Sequence, residues 1–280
     1  MINKLPISVL VQTKNEEDAI EGCLQSLRDF DEVIVVDSNS TDRTAEIAKS
    51  CGARVVTFSW NGSYPKKKQW AIESVSTAHS WLFFLDADES PTPQLVADLK
   101  KVFATPLDGI AAFDIELDYV FSGRRLRFGH RVTKRCLVRR ESVTFPVVDD
   151  LAAPGMGELE GHYQPQARGD SATLRGRLLH NDPDPVSSWF ARHNRYSDWE
   201  AYLRDRPSTR ASVRGLKSRQ GKLFDRVPFK PVVFFLYTYV ARLGLLDGRA
   251  GLDYAIALSF YYWQIQLKVR ELRREKLRCN

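Results

Sequence analysis

The sequence predicts an α/β protein with a mainly parallel, doubly wound sheet and a helical C-terminal region. Through the first hundred residues, short apolar runs alternate with amphipathic segments at the spacing of strand–helix units. From about Pro185 onward, aromatic and apolar residues recur at helical spacing instead. The chain has 280 residues and 43% hydrophobic content, which is enough to bury a full α/β core.

The predicted elements of this N-terminal part follow one another closely. Strands are predicted at four apolar segments, namely Leu5–Gln12, Val33–Asp37, Ala53–Phe58 and Leu82–Leu85. Helices are predicted at four segments, one opened by Thr13 to Glu17, one through Ala45, Ile47 and Ala48, one from about Lys66 to Ala78, and one begun by Pro91, Thr92 and Pro93. Asn15 and Asp42 stand at strand–helix junctions, where helix capping is the commonest role of such residues.

Three carboxylates follow directly after the fourth predicted strand. They belong to Asp86, Asp88 and Glu89, and the carboxyl end of a buried parallel strand is where such folds bind ligands. Crowded carboxylates repel one another unless a cation is present, and oxygen ligands suit Mg²⁺ or Mn²⁺ carrying a substrate phosphate. The segment therefore predicts a metal–diphosphate site, and the alternative is a solvated turn that caps the next helix.

Three consecutive lysines begin the third predicted helix. Cations at a helix N-terminus oppose the helix dipole, so Lys66, Lys67 and Lys68 favour a nearby anion such as a diphosphate. The alternative is a solvated helix start.

Four segments carry a resemblance to a known family. They read ISVLVQTKNEE, VIVVDSNSTDRT, KKKQWAIE and WLFFLDADE. In order and spacing they resemble the nucleotide-sugar domain of family 2 inverting glycosyltransferases, which have the GT-A fold. The resemblance spans about residues 5 to 105 and is strongest to the bacterial branch that builds lipopolysaccharide core and related surface glycans.

This resemblance implies roles for individual residues. Nucleotide contacts fall to Thr13, Asn15 and Glu16 along the nucleotide, Asp37 at the base and Asp86 near the ribose. Lys68 is added as a diphosphate contact from its place at the start of the third predicted helix. In the DXD motif, Asp86-Ala87-Asp88, the resemblance makes Asp88 the ligand of Mg²⁺ or Mn²⁺. One departure is Ser38, because many members have a second acid after the equivalent of Asp37.

The middle of the chain, about Gly109 to His180, is expected to hold the acceptor side of the site. Two further strands are predicted there, at Ala111–Val120 and Arg135–Arg140. Between them lie four basic residues that either meet phosphorylated acceptor groups or form an exposed hairpin: Arg124, Arg125, Arg127 and Arg131.

Related enzymes place the base that deprotonates the acceptor hydroxyl within this middle region, often in a His-Glu pair that this chain does not reproduce. Glu160 is our first choice for the base and Glu158 our second, with Asp149 and Asp150 as more distant options. Further along, the segment from Leu178 to Asp182 resembles the one in which GT-A enzymes return to the site. That resemblance implies that His180 completes the metal shell, and a core or capping role is its alternative. His162 is expected to be structural or to face the acceptor.

The C-terminal region, residues 185–280, differs from the GT-A region predicted over residues 1–184. Two apolar stretches, Pro231–Leu246 and Leu252–Ile265, are interrupted too often to be clean membrane spans. Residues 200–280 hold seventeen Lys or Arg against seven Asp or Glu. This composition predicts contact with an anionic membrane surface, and the alternatives are an oligomer interface or a helical cap. Nucleic acid is not an expected partner.

The predicted activity is a metal-dependent transfer of a sugar from a nucleotide sugar, expected to be a UDP-sugar, to a glycan or glycolipid acceptor. Scattered cysteines and the lack of a signal-peptide pattern predict a cytoplasmic enzyme, peripheral on the inner membrane. Cys23 and Cys51 are expected to be buried free thiols. The alternatives are a polyprenyl-phosphate glycosyltransferase and a catalytically silent membrane adaptor with the same fold.

Overall fold

The computed structural model describes residues 4–160, 163–206, 209 and 227–279. These residues form two compact units. The first unit contains the described residues up to Val120 together with Arg131–Pro146 and Gln164–Pro183. The second unit contains Phe121–His130, Val147–Tyr163 and the described residues from Asp184 onward. Two loops from the middle of the chain therefore belong with the C-terminal helices.

Strands make up most of the first unit. They are β1 (Leu5–Thr13), β2 (Phe30–Asp37), β3 (Arg54–Thr57), β4 (Trp81–Asp86), β5 (Glu89–Pro91), β6 (Ile110–Phe121), β7 (Arg124–Arg125), β8 (Thr133–Arg139), β9 (Val143–Thr144), β10 (Gln166–Ala167), β11 (Asp170–Thr173) and β12 (Leu178–His180). Only β7 and the last residue of β6 fall in the second unit. The helices of the first unit are α1 (Ile20–Ser26), α2 (Thr44–Ser50), α3 (Lys67–Ser74) and α4 (Pro93–Val102).

The main sheet runs in the order β3-β2-β1-β4-β8-β6-β12-β5, with β11 beside β6. Strands β3, β2, β1 and β4 are parallel, whereas β8 is antiparallel to both β4 and β6. The predicted α/β class is thus confirmed, and the sheet becomes mixed beyond β4. The apolar runs of β1, β2 and β4 form the centre of the core, which is why they read as continuous hydrophobic segments.

Two local predictions differ from the structure. Helix α1 begins at Ile20 and not near Thr13, because the intervening residues form a loop in which Asn15 has a positive φ of 57°. The acidic segment after β4 does not lead straight into a helix either. Residues Glu89–Pro91 first form β5, which pairs antiparallel with β12. Thr92 then caps α4, its hydroxyl accepting from the Leu95 backbone N–H at 3.3 Å.

The second unit is helical. It contains α5 (Val186–Asp205), α6 (Lys230–Phe235), a π-helical turn (Leu236–Ala241), a 3-10 turn (Gly244–Asp247) and α7 (Gly248–Cys279). Trp199 of α5 is fully buried in a cluster with Val148 and Met156, so this aromatic belongs to the core of the second unit. None of the helices in the described ranges is long and apolar enough to cross a membrane.

The cysteines only partly follow the prediction. Cys23 is a buried free thiol, as expected, and burial next to the acidic edge of the sheet raises the pKa of this thiol above its ordinary value. Cys51 is exposed, so the prediction of a buried thiol is wrong there. Cys51 directly follows the last residue of α2, at the surface end of that helix, where the helical pattern no longer implies burial.

Candidate functional site

Three neighbouring parallel strands end together at one edge of the sheet. Thr13 of β1 is in register with Asp37 of β2, and Gln12 of β1 is in register with Asp86 of β4. Because β4 lies next to β1 on the side opposite to β2, the two acids flank the end of β1. The carboxyl edge of the sheet, where open α/β folds bind ligands, therefore carries both Asp37 and Asp86.

Asp37 is buried and held by three protein donors. The Thr13 hydroxyl donates to Asp37 Oδ1 at 2.9 Å, and the Ser40 hydroxyl donates to the same oxygen at 2.5 Å. The Ser40 backbone N–H donates to Oδ2 at 2.9 Å. A carboxylate offers about four acceptor positions, so these donors fix its orientation and leave about one for a ligand. The predicted contact of Asp37 with a base stays a prediction.

Asn15 joins the loop after β1 to the loop after β2. Its Oδ1 accepts from the Thr41 backbone N–H at 2.8 Å, and its own backbone N–H donates to the Ser40 hydroxyl at 2.9 Å. The backbone N–H of Glu16 donates to the Thr44 hydroxyl at 2.7 Å. Asn15 therefore joins two loops at the sheet edge through hydrogen bonds. It does not cap α1, which starts five residues later.

The lysines before and within α3 differ from a solvated helix start. Lys66 is only 1% exposed and Lys67 only 2%. Lys67 Nζ donates to the backbone carbonyl of Thr13 at 2.8 Å, so its charge lies next to the last residue of β1. Lys68 Nζ lies 3.9 Å from Asp86 Oδ1. The run thus brings positive charge to the carboxyl edge, as a diphosphate site requires, and the solvated alternative is wrong for Lys66 and Lys67.

Lys134 was missed by the sequence analysis. Strand β8 inserts between β4 and β6, and Lys134 Nζ lies 2.8 Å from Asp86 Oδ2 and 2.6 Å from Glu89 Oε1. Glu89 also accepts from the Asp86 backbone N–H at 3.1 Å. One signal was present in the sequence, because strand alternation places Lys134 on the same face as the buried residues Cys136 and Val138.

This cluster shifts the pKa of each member. Burial alone would raise the pKa of Asp86, but Lys134 and Lys68 hold it well below its usual range. Burial raises the pKa of Glu89, and Lys134 opposes that rise. Burial alone would lower the pKa of Lys134, but Asp86 and Glu89 raise it well above its ordinary value. Asp86 and Lys134 are therefore both charged at neutral pH.

Asp88 and His180 come together because β5 pairs with β12. His180 is in register with Glu89, and the Asn181 backbone N–H donates to the Asp88 carbonyl at 2.9 Å. Asp88 Oδ1 and His180 Nδ1 then lie 3.3 Å apart. Within the described residues, both atoms are buried and lack a hydrogen-bond partner. Burial alone would lower the pKa of His180, but Asp88 raises it.

The two side chains fit a divalent ion bound mainly by its substrate. Across the described ranges, no three or more His, Cys, Asp or Glu side chains cluster in an arrangement that could hold a metal. Mg²⁺ commonly uses one or two carboxylates, with substrate phosphates and water completing its shell. Two adjacent, unpartnered donor atoms at Asp88 and His180 match that requirement. Their role as ligands stays a prediction.

The candidate bases lie in the second unit, in a segment that is anchored to α5. Asp150 is buried and accepts from the indole N–H of Trp199 at 3.0 Å. A Cβ on Gly155, whose φ is +98°, would lie 2.1 Å from the Arg195 carbonyl, so this position requires glycine. Glu158 and Glu160 follow in this segment and are partly exposed. His162 lies outside the described residues.

The four arginines of the predicted hairpin belong to two different units. Arg131 belongs to the first unit and is paired with Asp118 at 3.3 Å and Glu116 at 3.5 Å. The other three are exposed and belong to the second unit: Arg124, Arg125 and Arg127. The alternative of an exposed hairpin therefore fits Arg124, Arg125 and Arg127, because β7 pairs with β6, and it does not fit Arg131.

Comparisons with known proteins agree with the pattern at this edge. The family described as Glycosyl transferase family 2 matches residues 8–145. A glycosyltransferase of Rickettsia typhi is 39% identical over 270 residues, which covers 95% of this chain and 87% of that protein. The lipopolysaccharide core biosynthesis glycosyltransferase LpsC of Rhizobium meliloti is 27% identical over 291 residues, covering 100% of this chain and 97% of LpsC.

Solved structures include more distant similarities. Glucosyl-3-phosphoglycerate synthase from Mycobacterium tuberculosis, in complex with Mn²⁺, uridine diphosphate and glucosyl-3-phosphoglycerate, is 23% identical to this chain. That alignment has a TM-score of 0.39 and covers 69% of this chain and 77% of the other.

Proposed function

Because the chain belongs to glycosyltransferase family 2, we propose that it is a metal-dependent, inverting enzyme that uses a UDP-sugar donor. Its acceptor is a lipid-linked or cell-surface glycan of the lipopolysaccharide type. Similarity to LpsC along the whole chain supports this acceptor class, since LpsC is named for lipopolysaccharide core biosynthesis. The observation that carries the proposal is the sheet edge at which Asp37, Asp86 and the Asp88–His180 pair are all held by the fold.

The donor lies along the carboxyl edge of β1, β2 and β4. Its nucleotide contacts the loop that contains Thr13, Asn15 and Glu16, and Asp37 accepts a hydrogen bond from the base. The preorganised Asp37 carboxylate supports this role, because a fixed acceptor loses little freedom when it binds. Asp86 accepts from the ribose, a role that Lys134 and Lys68 support because they hold the pKa of Asp86 below its usual range.

The diphosphate binds near Lys68 and the metal pair. Lys68 supplies positive charge beside Asp86, with Lys68 Nζ 3.9 Å from Asp86 Oδ1. Asp88 and His180 hold Mg²⁺ or Mn²⁺, and the bound ion supplies neutralisation of the departing nucleoside diphosphate. Asp88 and His180 already lie side by side before donor binding, with Asp88 Oδ1 3.3 Å from His180 Nδ1, which lowers the cost of assembling the site.

Glu160 removes the proton from the acceptor hydroxyl, and Glu158 is the alternative. The hydroxyl oxygen attacks the anomeric carbon on the face opposite to the departing diphosphate, so the configuration inverts. Asp150 is a poor base because it is buried and already accepts from Trp199. Glu158 and Glu160 are partly exposed, although Glu160 Oε2 is buried, so an acceptor would reach Glu160 through its other carboxylate oxygen.

We place the enzyme in the cytoplasm, peripheral on the inner membrane. Residues 1–184 form the nucleotide-sugar and acceptor domain in this proposal, and residues 185–280 form the membrane-associated region. A lipid-linked acceptor gives the reason for this location, because the transferred sugar then joins a molecule that is itself anchored in the bilayer.

Donor turnover tests the proposal. The purified chain is incubated with a panel of nucleotide sugars in Mg²⁺ or Mn²⁺, and release of the nucleoside diphosphate is measured without acceptor. We expect metal-dependent release from a UDP-sugar, whereas a silent adaptor releases none. Asp88→Asn should abolish release, and Asp108→Asn is the matched control because Asp108 is exposed and remote from the edge in sequence. Full turnover by Asp88→Asn would contradict the assignment.

A further inference from the structure

A row of apolar side chains is exposed along α6, the π-helical turn and the 3-10 turn that follow it. We call it the apolar row. Its members are 38–79% exposed and are Phe229, Val232, Val233, Leu236, Tyr237, Val240, Leu243, Leu245 and Leu246. In the same segment Lys230, Phe234 and Thr238 are buried at intervals of four residues. The segment thus has one packed face and one open apolar face.

A basic loop of the second unit lies beside this row. The loop is Phe121–His130, and its arginines Arg124, Arg125 and Arg127 are exposed. No acidic residue occurs in this loop. Exposed arginines repel one another, which opposes holding three of them in one short loop.

Asp247 fastens the loop to the end of the apolar row. It is 3% exposed, and its Oδ1 accepts from the Arg127 backbone N–H at 3.0 Å. Its Oδ2 accepts from the Phe128 backbone N–H at 2.9 Å. The Gly129 backbone N–H donates to the carbonyl of Arg242 at 2.9 Å. The loop and the row are therefore parts of one surface.

The exposed charges of this surface are all positive. They belong to Arg124, Arg125, Arg127, Arg242 and Arg249. Asp247 is the single acid in the loop and in residues 227–250, and it is buried by the contacts that hold the loop. Arg249 is paired with Asp253 of α7, whose Oδ1 lies 3.1 Å from Arg249 Nε. An open apolar face with arginines in excess over acids at its end matches a bilayer whose headgroups are anionic.

We propose that the apolar row and these five arginines, together the basic-apolar surface, bind an anionic lipid bilayer. This inference rests on the membrane location proposed above and specifies which side chains make the contact. The apolar row enters the headgroup region, and the arginines meet lipid phosphates, to which guanidinium groups donate paired hydrogen bonds. A symmetric dimer through the same surface would bring the five arginines of each copy towards those of the other. The repulsion between these like charges disfavours a second copy of the chain as the partner.

Vesicle sedimentation of the full chain tests this surface. We expect the protein to pellet with phosphatidylglycerol vesicles better than with phosphatidylcholine vesicles, and salt should release part of it. Replacing Arg124, Arg125 and Arg127 by Gln should weaken binding to the anionic vesicles by about 100-fold, at roughly fivefold per arginine. The triple substitution V232E/L236E/V240E should reduce binding to both vesicle types to background.

Matched variants separate this surface from general effects of charge and polarity. Lys4, Lys49 and Lys101 are exposed residues of the first unit, so their triple change to Gln removes the same charge elsewhere. Val147 and Leu277 are 75% and 78% exposed but lie outside the row, so their double change to Glu is the apolar control. Both control variants should bind vesicles like the unmodified chain.

The outcomes distinguish this inference from the proposed function. Binding of uridine diphosphate with Mn²⁺ is measured on every variant, and we expect it to be unchanged because the changes lie in the second unit or on exposed lysines. If the unmodified chain does not bind uridine diphosphate with Mn²⁺, that result counts against the proposed function and not against the membrane surface. Two results would overturn the inference. The first is equal vesicle binding by the triple arginine variant and the triple lysine control. The second is a chain that binds no vesicles and forms a stable dimer, which V232E/L236E/V240E dissociates.

Discussion

Replacement of Lys134 by Met tests whether the charge cluster at the sheet edge is a structural unit. Glu89 is 1% exposed, and its carboxylate depends on Lys134 Nζ at 2.6 and 2.8 Å. Removing one partner of a buried ion pair costs about 3–5 kcal/mol. Glu89 keeps its hydrogen bond from the Asp86 backbone N–H, so we expect the lower end, about 3 kcal/mol. The free energy of unfolding is measured by denaturant titration at pH 7.5.

Two further variants make this prediction specific. Lys100→Met removes the surface ion pair with Asp29, in which both side chains are about 40% exposed, and should cost less than about 1 kcal/mol. Adding Glu89→Gln to Lys134→Met should recover most of the loss, because the buried negative charge is then gone. A cost for Lys134→Met no larger than that for Lys100→Met, or no recovery in the double variant, would refute the reasoning.

Three other predictions follow from single side chains. Glu160→Gln should lower transfer to the acceptor by about 100-fold with donor affinity unchanged, and an effect seen only in Glu158→Gln would identify that residue as the base. Burial, and secondarily Arg242, lowers the pKa of His130 from 6.5 to about 4. The neutral form is therefore favoured in the fold, and the free energy of unfolding should fall by about 3 kcal/mol between pH 6.5 and 4, a slope that His130→Phe should remove. Asp247→Ala should speed amide exchange of the Phe121–His130 loop by about 10-fold or more, measured by mass spectrometry, while an unchanged rate would show that Asp247 does not hold the loop.

The strands of the donor region could be predicted because their signal is local. Each is an apolar run that ends in a polar residue, and burial on both faces of a parallel sheet requires such a run. The same signal located Asp37, Asp86 and Asp88 at one edge. His180 came instead from the resemblance to a known family, and the pairing of β5 with β12 places it beside Asp88.

Contacts between distant segments could not be predicted from the same signal. Lys134 reaches Asp86 only because β8 pairs with β4. The residues near Lys134 in sequence do not indicate which strand β8 pairs with. Similarly, the fastening of the basic loop depends on Asp247, which lies about 120 residues later. Such pairings are set by the whole fold and not by local propensity.

The burial of Lys66 and Lys67 illustrates a different limit. For three adjacent lysines the sequence leaves a solvated helix start as the alternative to a nearby anion, because burying an ammonium group is costly unless it is paired. The Thr13 carbonyl at the end of β1 accepts from Lys67 Nζ and offsets part of that cost. The residue type shows that burying a lysine is costly, but the local sequence does not show which distant carbonyl will accept its hydrogen bond.

Calorimetric titration of uridine diphosphate into the protein, with and without Mn²⁺, tests the central claim most directly. The claim is that the carboxyl edge of β1, β2 and β4 binds a nucleotide together with a metal held by Asp88. We expect Mn²⁺ to strengthen nucleotide binding in the unmodified chain and in Asp108→Asn, and Asp88→Asn to lose at least 10-fold of that gain. Equal nucleotide affinity in Asp88→Asn and the unmodified chain, with Mn²⁺ present, would contradict the account.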